Sequence, residues 1–399
     1  MKSAVPRQDR VILCLNSGSS SVKLAVFRLG DKETLLAQGA TERIGQQKGR
    51  LWIRGPAEEI LVDQTNDFPD HQVAVRAMLA AFQQLLLPKP AAVGHRVVHG
   101  GPGYTEPALV DPQLLDTLRK LIPFAPLHLP GALHGIESVA AQFPGIMQVA
   151  CFDTAFHRRM PEINQRFPLP RSFYEEGIRR YGFHGLSYEY ILYVLGPAAR
   201  GRTIIAHLGN GASMAAILHG RPLDTTMGLT PTGGFMMGTR CGDLDPGILL
   251  YLMDEKGYGP ARIDDLVNHE SGLLGVSGIS SDMKTLLEKS TNDPQARQAV
   301  EMFCHHLRKH IGALAAVLGG VDMLVFTGGI GEHAAPVRWN VCQGLAYLGI
   351  HLNEERNTRH ADQISTPDSS CQVCVIPTNE DLMIARHTYQ VIACKQNEQ

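Results

Sequence analysis

The sequence predicts an α/β protein made of two related domains, each built on a mixed β-sheet. Three observations predict it. A short motif occurs twice, as VILCLNSGSSSVK at residues 11–23 and TIIAHLGNGASMA at residues 203–215. Each copy begins a set of three strand-like segments, followed by alternating helical and strand-like segments. A third glycine cluster, Thr327 to Glu332, follows another buried strand-like run. In both copies an apolar run meets a cluster of Gly, Ser and Asn and then resumes, which reads as a strand–turn–strand hairpin. Leu15 to Ser21 lines up with His207 to Ser213. Small residues at such a turn bring several backbone N–H groups close to a ligand, which suits phosphate oxygens. The other reading is an ordinary tight hairpin. No GxxxxGK[ST] loop is present, and Lys23 lies in the outgoing strand, two residues past Ser21. The repetition and the third cluster favour phosphate binding.

Taken in order, residues 11–16, 21–28 and 33–40 read as strands. Residues 72–87 have helical spacing and stop before Pro88. Residues 91–98 are strand-like. Asp111-Pro112 starts a helix, with Asp as N-cap and Pro at the first helical position. Residues 147–152 form a buried strand. The pattern then restarts with strands at 203–208, 213–218 and 221–225. A long helix spans 297–318, with Val300, Phe303, Leu307, Ile311, Leu314 and Leu318 on one stripe. Residues 321–327 and 371–377 are strands, and Thr378 or Asn379 can cap a last helix running to 392. The domains are expected at 1–150 and 151–380, with a C-terminal helix, 380–399, returning to complete the first. No low-complexity linker separates them, so they are expected to pack and hinge about a nucleotide cleft between them.

At 399 residues, 44% hydrophobic and 19% charged, the chain can bury two substantial cores. A formal net charge of −2 argues against broad binding to nucleic acid or anionic membranes. No apolar run approaches the roughly 18 residues that span a bilayer. MKSAVPRQDR leads into a strand with no signal-peptide core, so a cytoplasmic protein with a short flexible tail is expected. Of eight cysteines, Cys14 and Cys151 sit in apolar runs. Cys371 and Cys374 form a CxxC in a strand-like run with no following helix start, which favours packing over redox or zinc chemistry. His306 and His310 are spaced for one helix face, but without HExxH a surface or packing role is favoured.

Polar residues gather in four segments: Gly94 to Gly101 (GHRVVHGG), Cys151 to His157 (CFDTAFH), Arg180 to Gly185 (RYGFHG) and Gly238 to Asp245 (GTRCGDLD). Any single Arg or Asp here could be a surface ion pair. Together, two arginines, a lysine, two histidines and one or two acids describe an anion clamp with a metal, which phosphoryl transfer needs. Ligands of α/β proteins bind beyond the carboxyl ends of strands, where residues 96, 153 and 328–333 would lie. A Ser–His–Asp hydrolase is disfavoured by the lack of a GxSxG elbow.

The segments LNSGSSSVK, GHRVVHGG, FDTAFH, RRYGFHG, HLGNGAS, MGLTP, MMGTRCGDLDPG, SGLLGVSGISSDM, FTGGIGE and TNEDLMIAR closely resemble the acetate kinase family, from about residue 11 to residue 392. The resemblance implies duplicated ribonuclease H-like (actin-like ATPase) domains and a reversible transfer of phosphate from ATP to acetate, giving ADP and acetyl phosphate. It assigns Arg96 and Arg240 to the carboxylate and the transferring phosphoryl group, and His184 to the phosphoryl oxygens. Asp153 matches the essential acid. It is expected to position Mg²⁺ or the nucleophile and not to take a proton, because the acceptor carboxylate is already ionised at neutral pH. Asn16 and Glu380 match the positions associated with Mg²⁺, for which Mn²⁺ could substitute. Ser19, Ser21 and Lys23 would face phosphates. His207, Leu208, Gly209, Asn210 and Gly211 would cradle the β and γ phosphates. Asp282, Met283, Lys284, Gly329, Ile330, Gly331, Glu332 and His333 would surround the adenosine. Val98, Leu127, Phe183 and Pro231 match the pocket for the acyl methyl group. A homodimer is implied, with no nucleic-acid or membrane partner.

Three departures bear on specificity. Leu129 stands where the family has an asparagine. Thr232-Gly233-Gly234 replaces Leu-Glu-Gly. Met283 and Lys284 replace an aromatic and an arginine, and lysine stacks on adenine less well. Within the class, propionate or butyrate kinase is the alternative. From other classes there is a non-catalytic actin-like ATPase, or a dinucleotide oxidoreductase suggested by Gly329-Ile330-Gly331-Glu332-His333-Ala334. The last lacks an acid in a strand-end context about 20 residues on, where His351 and Asn353 stand.

Overall fold

The first copy of the repeated motif folds as an antiparallel hairpin of β1 (Arg10–Ser17) and β2 (Ser21–Leu29). This computed structural model describes residues 8–18 and 21–397, so Ser19 and the N-terminal tail lie outside the described residues. The chain divides into two compact units. One holds the residues up to Phe156 and those from Asn379 onward, and the other is His157–Thr378.

Among the described residues, the first unit is built on an eight-stranded sheet. From β1 and β2 the meander continues through β3 (Glu33–Glu42), β4 (Gly49–Arg54) and β5 (Ile60–Asn66), all antiparallel. On the other side of β1 lie β6 (Ala92–Val97), β7 (Ala108–Leu109) and β8 (Met147–Phe152), in the sheet order β5-β4-β3-β2-β1-β6-β8-β7. β1, β6 and β8 are mutually parallel neighbours. Helices His71–Gln83 and Leu129–Gln142 pack together over the sheet. Leu13, Leu15, Val22, Leu24, Val75, Met78, Leu79 and Val93 form the centre of the core there. The first of these helices starts on the Asp70 side chain, which accepts from Val73 N–H at 2.8 Å. It stops four residues short of the expected end, because the N–H of Gln84 turns to the carbonyls of Ala81 and Phe82 and tightens the last turn. The helix Glu380–Asn397 packs on β1, β6 and β8. Its approach requires Gly94: a Cβ there would meet Thr388 Oγ1 and Ile384 Cγ2, the latter at 2.6 Å.

Among the described residues, the second unit has a five-stranded sheet in the order β11-β10-β9-β12-β13. Its strands are β9 (Arg202–Leu208), β10 (Ala212–Leu218), β11 (Arg221–Thr225), β12 (Met323–Thr327) and β13 (Gln372–Val375). β11, β10 and β9 form an antiparallel meander, and β9, β12 and β13 run parallel. This order and polarity match β3-β2-β1-β6-β8 strand for strand, so the sequence repeat is a repeat of topology. The fold is mixed α/β with a duplicated mixed sheet. The helix Pro294–Leu318 packs on β9, β10 and β11, and its buried stripe contains Val300, Phe303, Leu307, Ile311, Leu314 and Leu318. Asp293 caps its start, and Gly319, at φ +70°, ends it.

Strands β4 and β5 and most shorter helices were not anticipated. β5 is exposed along nearly its whole length, so it shows no apolar alternation to read.

Candidate active site

In the first unit, three polar residues stand at the carboxyl ends of adjacent parallel strands. Asn16 is near the end of β1, Arg96 near the end of β6, and Asp153 just past β8. Asp153 is fully buried. Arg96 grips it bidentately, with Nη2 donating to Oδ2 at 2.6 Å and Nε at 3.0 Å. Arg96 Nη1 also donates to Asn16 Oδ1 at 3.1 Å, and Asn16 Nδ2 donates to Glu380 Oε2 at 3.2 Å. Glu380 opens the C-terminal helix, so packing of that helix on β1, β6 and β8 brings it to the cluster. Burial works against the Arg96 charge, but Asp153 and Glu380 outweigh it and hold the guanidinium charged more firmly than usual. Asp381, next in the helix, has its Oδ1 buried without a hydrogen bond, and burial raises this carboxyl above its ordinary range. Behind the cluster, His95 Nε2 pairs with Gln148 Oε1 at 2.7 Å, and burial lowers its pKa to about 4.

In the second unit, His184 and Arg240 are both nearly buried. His184 is the N-cap of the helix Gly185–Leu195 and sits at φ 57°, ψ 25°, a left-handed conformation that a side-chain-bearing residue adopts only when its surroundings impose it. Here the surroundings do: His157 Nε2 pairs with the carbonyl of Phe183 at 3.0 Å, and a Cβ on Gly182 (φ +73°) would lie 2.6 Å from the His157 ring. Burial lowers the His157 pKa to about 4, so that ring is neutral. The His184 ring stacks on His207, with centroids 4.3 Å apart. Arg240 Nη1 donates to the carbonyl of Pro231 at 3.1 Å. These groups face the turn between β9 and β10: a Cβ on Gly211 would lie 3.2 Å from Arg240 Nη1 and 3.6 Å from His184 Nε2. The turn therefore has a guanidinium and an imidazole nitrogen close beside its glycines, which suits an anion.

Beside it, Gly209, Asn210, Asp282, Met283, Lys284, Gly329, Ile330 and His333 line one cavity of about 550 Å³, together with Ser281, Leu287, Glu288, Ala334 and Pro336. Gly328 (φ +76°) lets the third glycine cluster turn straight from β12 into the helix Gly328–His333, since a Cβ there would lie 2.8 Å from the Leu208 carbonyl oxygen.

A model of the Acetokinase family matches residues 11–386. The chain belongs to the acetokinase family. It is 46% identical over 393 residues to an acetate kinase of Rhodopseudomonas palustris strain TIE-1, with 96% of this chain and 98% of that protein covered. An acetate kinase of Methylocella silvestris is likewise 46% identical, over 401 residues and with the same shares covered. Among solved structures, Porphyromonas gingivalis acetate kinase superposes with a TM-score of 0.84 at 40% identity, covering 96% of this chain and all of that one. A propionate kinase from Francisella tularensis superposes with a TM-score of 0.88 at 36% identity and the same coverage.

The acetokinase residues expected from sequence distribute between the units. Asn16, Arg96, Asp153 and Glu380 form one hydrogen-bonded cluster. Lys23 is exposed on β2 and Ser21 half-buried at its start. Val98 and Leu127 belong to the first unit, Phe183 and Pro231 to the second, where Pro231 meets Arg240. Of the residues expected around the adenosine, Asp282, Met283, Lys284, Gly329, Ile330 and His333 line this cavity, and Gly331 and Glu332 do not. Glu332 Oε1 turns inward and accepts from the N–H groups of Gly328 and Thr378, at 2.9 and 3.2 Å. These bonds hold the turn at the start of the helix. Leu129 is fully buried at the start of its helix, where an apolar side chain is the better fit. Thr232 donates from Oγ1 to Asn268.

Sequence reasoning missed Asp381, Ser187, Tyr188, Ser213, Thr378 and Arg338. Arg338 is wholly buried and donates to the carbonyls of Gly331, Glu332 and Asn357 and to Asn357 Oδ1, which ties the glycine-cluster helix to the helix Glu354–Thr358. Ser213 was within reach, because it pairs across the hairpin with His207 and so shares its face.

Among the described residues, no three His, Cys, Asp or Glu side chains gather as a metal site. Mg²⁺ is usually held by only one or two carboxylates, with water and substrate phosphates completing its shell. Glu380, the Asn16 carbonyl oxygen and the unbonded Asp381 Oδ1 are hard oxygen donors of that kind, so the residues fit the ion.

Proposed function

We propose that the protein transfers the γ-phosphoryl group of ATP to the carboxylate of acetate, reversibly and by direct in-line displacement, giving acetyl phosphate and ADP. The observation that carries this reading is the anion-facing set on the second unit: Arg240, His184 and His207 around the turn Gly209–Gly211. Identity of 46% to proteins named acetate kinase supplies the acceptor.

An ionised carboxylate needs no general base, so catalysis consists of aligning two anions and cancelling their repulsion. Arg96, oriented by Asp153, and Arg240 are suited to this, since guanidinium matches both carboxylate and phosphoryl geometry. His184 donates to the transferring phosphoryl oxygens. Asp153, already committed to Arg96, acts by orientation. Asn16 and Glu380 would hold Mg²⁺, or Mn²⁺ in its place, with Asp381 as a further oxygen donor. The ion would neutralise charge on the nucleotide phosphates. The 550 Å³ cavity takes the adenosine. The family resemblance assigns Val98 and Leu127 of the first unit, and Phe183 and Pro231 of the second, to the acyl methyl group.

The reading extends to assembly and location. The helix Pro246–Lys256 buries none of its residues, yet exposes Ile248, Leu250, Tyr251 and Met253. A second copy of the chain covering this helix would make the homodimer. ATP as co-substrate implies the cytoplasm. Among the described residues, no helix is long and apolar enough to cross a membrane.

The test is hydroxamate formation with ATP, Mg²⁺ and hydroxylamine across formate, acetate, propionate and butyrate. Highest kcat/KM with acetate is the expected result. A propionate preference would favour the second reading, which rests on the 0.88 TM-score to a propionate kinase. Nucleotide binding without turnover of any acid would leave only a nucleotide-binding protein.

A further inference from the structure

Behind each histidine at the glycine turn stands a pair of hydroxyl groups. His184 Nδ1 lies 2.7 Å from Ser213 Oγ, and Ser213 Oγ is 2.5 Å from the hydroxyl of Tyr188. His207 Nδ1 lies 2.8 Å from Ser187 Oγ, which accepts from Thr378 Oγ1 at 2.9 Å. Ser187, Tyr188 and Ser213 are fully buried. The two rings stack with planes 20° apart. Their far edges look at the turn: a Cβ on Gly209 would lie 3.8 Å from His207 Nε2, and one on Gly211 3.6 Å from His184 Nε2.

The direction of these bonds follows from counting protons. A serine hydroxyl has one proton to give. Ser187 accepts from Thr378, so its own proton is directed at His207 Nδ1. A phenol is a stronger acid than an alcohol, so Tyr188 donates to Ser213, and the Ser213 proton goes to His184 Nδ1. A ring nitrogen that accepts a hydrogen bond carries no proton, and a neutral imidazole then has its proton on Nε2. Electrostatics agree. Two imidazolium rings with centroids 4.3 Å apart, next to the Arg240 guanidinium, would repel, whereas two neutral rings do not. A further titratable neighbour, His157, sits edge-on to Tyr188 at 5.6 Å and is itself kept neutral by burial.

We propose that Tyr188–Ser213 and Thr378–Ser187 are twin hydroxyl relays that hold His184 and His207 as neutral Nε2–H tautomers, so that both rings present N–H donors to the phosphoryl oxygens at Gly209–Gly211. The four hydroxyl residues are positioning residues, acting through the histidines. The relay explains how two adjacent histidines donate to one anion at neutral pH without adding a charge that would have to be shed. Its kinetic consequence rests on the phosphotransfer reading, but the tautomer assignment does not.

The test uses full-length protein labelled with ¹⁵N-histidine, and two-bond ¹H–¹⁵N correlation spectra at about pH 7.5, where an ordinary histidine is already mostly neutral. Signals are assigned by loss in His184→Asn and His207→Asn. The expected pattern for both rings is an unprotonated Nδ1 and a protonated Nε2. An Nδ1–H tautomer or an imidazolium pattern at either ring would overturn the proposal, and this measurement needs no variant to be active. In Ser213→Ala and Ser187→Ala, the matching ring is expected to become a mixture of tautomers. With it, kcat is expected to fall about ten-fold, with the acetate KM changed by less than about two-fold. Alanine variants that keep both the single-tautomer spectrum and wild-type kcat would also overturn it. If the tautomers are as stated but no acid is phosphorylated, the relay stands and the phosphotransfer reading fails.

Discussion

Arg96 has a carboxylate partner beneath it. That pairing matters for mutagenesis. Replacing Asp153 by asparagine leaves the shape intact but strands the Arg96 charge in a buried site. Breaking such a pair costs about 3–5 kcal/mol where both partners are fully buried, and less here because the Arg96 side chain is 16% exposed. Asp153→Asn is expected to lower the melting temperature and to cut kcat by about a hundred-fold or more through misorientation of the guanidinium. A variant that melts and turns over like the wild type would show the pair to be dispensable. Val98 is 5% exposed. Val98→Ala should enlarge the acyl pocket and move the propionate-to-acetate ratio of kcat/KM upward by about ten-fold, within the 1–3 kcal/mol that one methylene commands. An unchanged ratio would remove Val98 from the pocket. Arg96, Asp153, His184 and Arg240 were legible in sequence because each is a polar residue in an otherwise apolar or glycine-rich segment. Asp381 was not, since an acid in the first turn of a helix is also an ordinary helix-start residue.

At the scale of elements, the cavity proposed for the nucleotide depends on a short helix that cannot hold itself. The helix Gly328–His333 spans six residues, too few to be stable alone. Glu332 caps it from inside and Arg338 ties down its last carbonyls. Burial lowers the Arg338 pKa to about 10, so it stays charged at neutral pH. Arg338→Met should raise the KM for ATP about ten-fold and leave the KM for acetate near wild type, because the displaced element lines only the nucleotide cavity. Equal effects on both substrates would contradict that division. Strand β6 and the loop after β8 carry a second consequence. His95 and His157 have folded pKa values of about 4 against an ordinary 6.5, so between these values the unfolded chain binds more protons than the folded one. Their contribution is complete above about pH 6.5 and is lost as pH falls toward 4, with a slope of up to about 1.4 kcal/mol per pH unit for each histidine. Urea unfolding at pH 7, 6 and 5 should show this loss, and His95→Gln should flatten it. Identical slopes in wild type and variant would exclude His95 as a source. The long helix Pro294–Leu318 was legible because its stripe, Val300 to Leu318, repeats over about five turns. The six-residue helix was not, because its start is glycine and its stability is tertiary.

At the scale of the molecule, the chain repeats one sheet plan twice, and the helix Pro246–Lys256 leaves four large apolar side chains exposed: Ile248, Leu250, Tyr251 and Met253. Leu250 is 61% exposed and Tyr251 54%. If the proposed homodimer forms through this helix, Leu250→Arg is expected to give a monomer in sedimentation velocity, with the far-ultraviolet circular dichroism unchanged, since no residue of that helix is buried within the chain. A wild-type sedimentation coefficient in the variant would move the interface elsewhere. Periodicity could not point to this helix, because its apolar residues lie on every side and define no stripe.

What the sequence by itself determined was everything local. The two hairpins follow from small residues between apolar runs, the long helix from a repeating stripe, and family membership from ordered motifs that lie along nearly the whole chain. Only the tertiary structure decided which acid orients Arg96 (57 residues away in sequence), which helix brings Glu380 to Asn16 (364 residues away), and which hydroxyls stand behind His184 and His207. The reason is physical. Strand and helix patterns are set by neighbours along the chain, whereas the partner of a buried charge or imidazole is whatever donor or acceptor the packing of distant strands leaves within about 3 Å of it.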